Sequence, residues 1–176
     1  MASDVFNLIQ EMCPNGVPYV PITEAADYVR GVTYKKSDEG GDGRIQVLRA
    51  NNITLASNTL NFNDVKKLSS KVKIRDDQRL YLGDILICAG SGSREHIGKV
   101  AYIDSDLPHT FGGFMGVVRT KETHSPRFLH HLLTSKLFSD YLDKSLSTST
   151  INNLNKTIMS GFKVPTPPPG SAVRDC

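Results

Sequence analysis

The chain has 176 residues, 39% hydrophobic and 22% charged, enough for one domain that folds without disulfides or a metal and too apolar for wholesale disorder. No run approaches the roughly 18 apolar residues that span a bilayer, and the start, MASDVFNLIQEMCPNG, lacks the basic segment and long apolar stretch of a secretory leader. Net charge is +3, yet residues 1–26 carry Asp4, Glu11 and Glu24 and no Lys or Arg, so all 21 basic residues fall beyond them; such a basic body suits a polyanionic partner.

Val5, Leu8, Ile9 and Met12 recur at helical spacing, and Pro14-Asn15-Gly16 stops that helix by fixed φ and turn chemistry. Cys13, Cys88 and Cys176 form no metal-ligand spacing and leave one cysteine over in any disulfide scheme, which points to a reducing, cytoplasmic setting. Between Tyr19 and Val118 the sequence predicts short strands at Ala25–Arg30, Ile45–Leu48, Asp84–Ala89, Lys99–Ile103 and Gly113–Arg119, with turn residues nearby. Residues 37–43, SDEGGDG, form a loop by composition.

One amphipathic helix follows. Ser125 caps it, Pro126 suits its first turn, and Phe128, Leu129, Leu132, Leu133, Leu137, Tyr141 and Leu142 form its apolar stripe. Lys144 complements the dipole at its end. After the polar run Ser145–Thr150, Asn155 caps a short helix, Lys156–Ser160, ended by Gly161. Phe162–Pro169, FKVPTPPP, is predicted as an extended exit from the domain, because residues before proline avoid the helical region. The fold class expected is mixed α/β (α+β): a small twisted sheet or partial barrel with one packed amphipathic helix and a short C-terminal helix.

No catalytic motif survives inspection. AGSGSREHIGK at 89–99 fails as a Walker loop, since Ser93 stands five before Gly98 and Val100 follows Lys99. It fails as a dinucleotide fingerprint because Glu95 stands where Gly or Ala is needed. A plain hairpin loop and a phosphate or base contact remain the two readings of it. Adjacent His130 and His131 point about 100° apart on a helix and chelate poorly; Asp104 and Asp106 suit a solvated loop; Cys88 in ILICA suits the core. No cofactor is expected.

The polar stretches carry more. Arg30, Tyr34 and Lys35 lie beside one turn, and Arg49, Asn51 and Asn52 beside another. Ser91, Ser93, Arg94 and Lys99 populate the 89–99 loop, while Thr148, Ser149, Asn152 and Asn155 lie in STSTINNLN. Arg pairs with guanine, Asn with adenine, and hydroxyls or a capped helix start take phosphate oxygens. Arg30, Arg49, Asn51, Asn52, Arg94, Thr148 and Asn152 are the candidate base contacts. Lys66, Lys67, Lys71 and Lys73 have no matched amides and go to phosphates or solvent.

Taken together, LIQEMCPNGVPYVPITEAADYVRGVTY, IQVLRANNI, LYLGDILICAGSGSREHIGKVAYI, FGGFMGVVRTK, SPRFLHHLLTSKLFSDYL and STSTINNLNKTIMSGFKVPTPP resemble, in that order, the target-recognition domain of type I restriction-modification specificity subunits. The resemblance spans roughly residues 5–168. It implies a helical lead-in at 1–16, a DNA target-recognition domain at 17–168 and a truncated tail at 169–176, the chain being a fragment or a truncated subunit. It also implies reading of one half of a split double-stranded DNA target, with no enzymatic activity in this subunit. Modification (methyltransferase) subunits and a restriction subunit are the implied partners. Two alternatives remain open: the recognition domain of a single-chain restriction-methylation enzyme, and a small α/β ligand-binding protein or hydrolase.

Overall fold

Alternating apolar side chains along the central strands decide the layering. In β8 (Ile85–Cys88) every residue is buried, with Ile85 and Ile87 in one hydrophobic cluster and Leu86 and Cys88 in another, as the two-residue period of a strand requires. A strand buried on both faces needs a layer on each side. The computed structural model describes residues 7, 11, 13–122, 124–147 and 153–166, and it supplies both layers.

β8 lies in a four-stranded sheet of order β2-β11-β8-β9, with β2 Ala26–Arg30, β9 Val100–Tyr102 and β11 Met115–Thr120. One face packs on helices through Leu129, Leu132, Leu133, Phe138, Leu142 and Leu146. The other meets Leu48, Leu80, Ile103 and Phe111, which come in part from a second sheet of order β6-β3-β10-β7, comprising β3 Ile45–Leu48, β6 Lys66–Leu68, β7 Arg79–Leu80 and β10 Leu107–Phe111. A two-stranded ladder joins β4 Ile53–Thr54 to β5 Thr59–Leu60. All five predicted strands are present, and the mixed α/β class holds.

The β10–β11 turn spans the sheets, since β10 belongs to one and β11 to the other. Val32 bridges to Gly112 and Val32 N donates to Phe111 O at 2.8 Å. A Cβ on Gly31 would lie 2.1 Å from Gly112 O, so this approach of backbone on backbone admits only glycine at 31.

The helical region departs from expectation. The single amphipathic helix is two, α2 Pro126–Leu133 and α3 Lys136–Ser147, after a four-residue α1 at Ile22–Ala25. At the break Thr134 Oγ1 donates to His131 O at 2.9 Å and Ser135 Oγ to Leu132 O at 2.6 Å; hydroxyls bonded back to the preceding turn bend or end helices. The break re-phases the stripe, leaving Leu137 exposed at 44% and burying Phe138. Ser125 accepts from Phe128 N, as predicted. Asn155 caps α4, Lys156–Gly161, by accepting from Ile158 N at 2.8 Å. Gly161 is the last residue of α4 and Phe162 its cap, so the helix runs one residue past the expected Ser160; glycine is required at 161 because a Cβ there would sit 2.4 Å from the Tyr141 hydroxyl.

The predicted extended exit pairs back. β12 (Lys163–Pro165) runs antiparallel to β1 (Tyr19–Pro21), Val20 opposite Val164, and Thr166 N donates to Pro18 O at 2.8 Å. Asn7 and Glu11 are helical and exposed; Val5, Leu8, Ile9 and Met12, the apolar positions of the expected lead-in helix, lie outside the described residues. Among the described residues no helix is long and apolar enough to cross a membrane.

Candidate nucleic-acid interface

Four separate turns converge where the two sheets meet. They are residues 30–34 from the end of β2, residues 49–51 after β3, residues 90–92 after β8, and residues 112–115 leading from β10 into β11. With Glu39 and Asn153 they line a cleft of about 930 Å3. Of the predicted site residues, Arg30, Tyr34, Arg49, Asn51 and Ser91 stand on its wall.

Arg30 is the keystone of that wall. Its Nη1 donates to Asn153 Oδ1 at 2.7 Å and Leu154 O at 2.8 Å, and its Nη2 to Gly113 O at 2.6 Å. Tyr28 OH reaches the same Leu154 carbonyl at 2.8 Å, and burial pushes that phenol up to about 12, so it stays a donor. Leu154 N donates to Ala89 O at 2.6 Å and Asn153 bridges Gly90. Leu154 is fully buried, pinned by β2 on one side and the end of β8 on the other. With three guanidinium hydrogen bonds made to Asn153, Leu154 and Gly113, Arg30 holds the wall together.

Arg49 keeps more freedom. Its Nη2 pairs with exposed Asp64 at 2.8 Å, while Nε is buried with no hydrogen-bond partner among the described residues. Asn51 is exposed and donates to the same Asp64 carboxylate at 3.0 Å. Asn52 is different: fully buried, it accepts from Arg49 N at 2.9 Å and donates to Asn61 O at 3.0 Å and Asp64 O at 3.1 Å. Both ends of its amide are spent on building the 3-10 turn that presents Arg49 and Asn51.

The 89–99 loop divides. Ser91 faces the cleft and accepts from Ser93 N at 3.1 Å. Ser93 leads into a 3-10 turn, Arg94–His96, which carries the loop away from the cleft. Arg94 donates to Asp143 of α3, to O at 3.1 Å and Oδ1 at 3.3 Å. Lys99 is only 9% exposed, is hydrogen-bonded through Nζ to His96 Nδ1, and has its pKa lowered chiefly by desolvation; a buried ammonium tied to an imidazole is no surface anion contact. Lys35 is exposed beside the 3-10 turn Lys36–Asp38 without lining the cleft. Asn155 Oδ1 is occupied as a cap. Thr148, Ser149 and Asn152 lie outside the described residues.

Of the Lys-rich stretch, Lys66 pairs with Glu39 at 2.7 Å, neutralising the carboxylate on the cleft wall, and Lys67 is exposed on β6. Thr33, Phe114 and Asn153, none of them among the expected contacts, also line the cleft. Asn153 was discoverable as one more amide in STSTINNLN; Phe114 carried no polar signal. The lining thus offers guanidinium, amide and hydroxyl donors and an exposed aromatic ring, a set suited to hydrogen-bonding an edge of a polar ligand.

Comparison with known proteins agrees with this picture. The sequence model of the type I restriction modification DNA specificity domain matches residues 14–172. The chain is 27% identical over 158 residues to the Escherichia coli (strain K12) type I restriction enzyme EcoKI specificity subunit, covering 88% of this chain and 33% of that protein. It is 26% identical over 157 residues to the StySPI specificity subunit of Salmonella potsdam, with the same two coverages of 88% and 33%. The fold resembles the HsdS subunit from Thermoanaerobacter tengcongensis, with a TM-score of 0.60 at 17% identity over 95% of this chain and 40% of that one. The chain spans about a third of the length of the two sequence relatives. With its model matched across nearly all of the described residues, the chain belongs to the type I restriction modification DNA specificity domain family.

Proposed function

We propose that this chain recognises, sequence-specifically, one half of a split double-stranded DNA target, as a non-catalytic recognition domain within a type I restriction-modification complex. The observation that carries the reading is the convergence of Arg49, Asn51, Ser91 and Asn153, from separate parts of the chain, on one cleft. These are the side-chain types that read base edges and phosphates, in a member of a DNA specificity family. The unit that does so is residues 17–168, closed by the β1–β12 ladder. Methylation and cleavage fall to modification and restriction subunits of the complex, in the cytoplasm; the names of the relatives, each a specificity subunit of a type I enzyme, support that division of labour.

Selection of bound sequences from a random duplex pool tests the reading, followed by titration of the winner at several salt concentrations. A half-target reader that neutralises about 4 phosphates gives a slope of log K against log salt near −3.6, and a pool enriched at a few contiguous positions. The pure chain with DNA, Mg2+, ATP and S-adenosylmethionine leaves the DNA uncut and unmethylated. Salt-insensitive binding, an unenriched pool, or activity that co-purifies with the chain overturns the proposal.

A further inference from the structure

Phe114 is 73% exposed, yet its backbone is among the best tethered in the cleft. Its carbonyl accepts from both Ala89 N at 2.8 Å and Gly90 N at 2.9 Å, and Met115 N closes the turn on Gly112 O at 2.7 Å. The ring stands on the same cleft as Arg49, Asn51, Ser91 and Asn153. Single exposed apolar residues are ordinary on protein surfaces. What sets Phe114 apart is rigid presentation among hydrogen-bonding side chains, where the ring forgoes the stabilisation that burial would bring.

We infer that Phe114 is a specificity-determining residue whose ring packs on the 5-methyl group of a thymine in the major groove. The inference rests on the DNA-reading function above. Guanidinium and amide groups read the donors and acceptors of base edges, and thymine is the base whose major-groove edge also carries an apolar group. A ring that lines the same hollow as the hydrogen-bonding groups meets base edges at their depth. Insertion between base pairs would require a ring standing beyond those groups and an unstacking cost offset by wrapped DNA. Because Phe114 is held on two sides by backbone hydrogen bonds, the contact needs no ordering of a loop, which favours discrimination of a single methyl.

The test compares the full chain with F114A and F114S. Each is put through selection from a random duplex pool, and each thymine of the wild-type winner is then replaced in turn by deoxyuridine, which removes only the methyl. At one position the wild type loses about fourfold in affinity, the worth of one buried methyl-sized group. Both variants bind the thymine and uracil duplexes equally there and lose the thymine preference at that position alone. Thermal melting of the variants is unchanged, because the ring is exposed. If the uracil penalty is the same in wild type and variants, this inference falls and the DNA-reading function stands. If 2-aminopurine beside the site brightens severalfold with wild type and not with F114A, the ring intercalates and the methyl contact is wrong. If the wild type enriches no sequence, both fall together.

Discussion

Arg30 Nη1 donates to Asn153 Oδ1 at 2.7 Å, joining the end of β2 to a residue 123 positions along the chain. That bond, with the two to Leu154 O and Gly113 O, ties two distant segments of the cleft wall to one guanidinium. Arg30→Met removes the fork and strands the carbonyls it served. Charge-assisted bonds of this kind contribute about 1.5–3 kcal/mol each before water replaces them, so the net expectation is a loss of about 2 kcal/mol. Arg30→Lys recovers less than half of it, since an ammonium cannot span three acceptors in one plane. Urea unfolding of the three proteins checks this, and sequence preference should weaken at several positions together.

The two arginines outside the wall's keystone separate cleanly. Arg49→Ala should cost about 1–3 kcal/mol on the selected duplex and relax preference at one position. Arg94, tied to Asp143 on α3 away from the cleft, should change binding by no more than about 0.5 kcal/mol on any duplex when replaced by Ala. Lys67→Ala should weaken selected and scrambled duplexes about equally and reduce the salt slope by roughly 1. Equilibrium titrations on both duplexes decide among the three.

Below the cleft, Arg119 grips Asp84 through two bonds, Nε–Oδ1 at 2.8 Å and Nη2–Oδ2 at 2.7 Å, with the Asp84 side chain 2% exposed. Asp84 also accepts from Tyr81 N at 2.9 Å, fixing the turn into β8. Asp84→Ala leaves a half-buried cation without its partner and should destabilise the fold by about 3 kcal/mol. The double replacement D84L/R119M should cost less than D84A, because removing both charges leaves neither unpaired. Denaturant unfolding of the single and double variants measures the difference.

His130 gives the fold a pH dependence of definite sign. Both ring nitrogens are buried without a hydrogen-bond partner among the described residues, the ring meets Tyr102 edge-on at 5.7 Å, and burial, with the neighbouring His131 and Arg127, lowers its pKa from 6.5. The unfolded chain therefore takes up the proton first. Stability from this group is fully present above pH 6.5 and is lost as pH falls through that value toward the folded pKa. The urea midpoint should drop between pH 7 and 5, and His130→Phe should flatten part of the drop. His109 and His124, lowered by the same cause, keep a residual slope in that variant.

The strands legible in the sequence were those whose side chains lie between layers, such as the fully apolar ILIC of β8. β6 and β10 were not. Lys66 and Lys67 look like a solvated run, and Pro108 breaks the pattern of LPHTF, although β10 supplies the parallel pairing with β3. The split after α2 depends on which carbonyls Thr134 and Ser135 choose, which composition does not reveal. In the site, turn chemistry picked out Arg49, Asn51 and Ser91, which line the cleft. It did not separate Asn51 from Asn52: successive residues of a 3-10 turn point about 120° apart, and here Asn52 turns inward while Asn51 meets solvent. Arg94 and Lys99 show the same limit: a loop rich in donors says nothing of the direction in which its turn leads them.

The ladder of β1 with β12 has a consequence for any longer polypeptide that contains this stretch. Pro18 and Thr166 are hydrogen-bonded neighbours, so the path in and the path out share one narrow stem. The recognition fold hangs from that stem like a cassette in a socket. A change of length or turn within the fold is confined to the loop that the stem closes, because Pro18 and Thr166 stay one hydrogen bond apart.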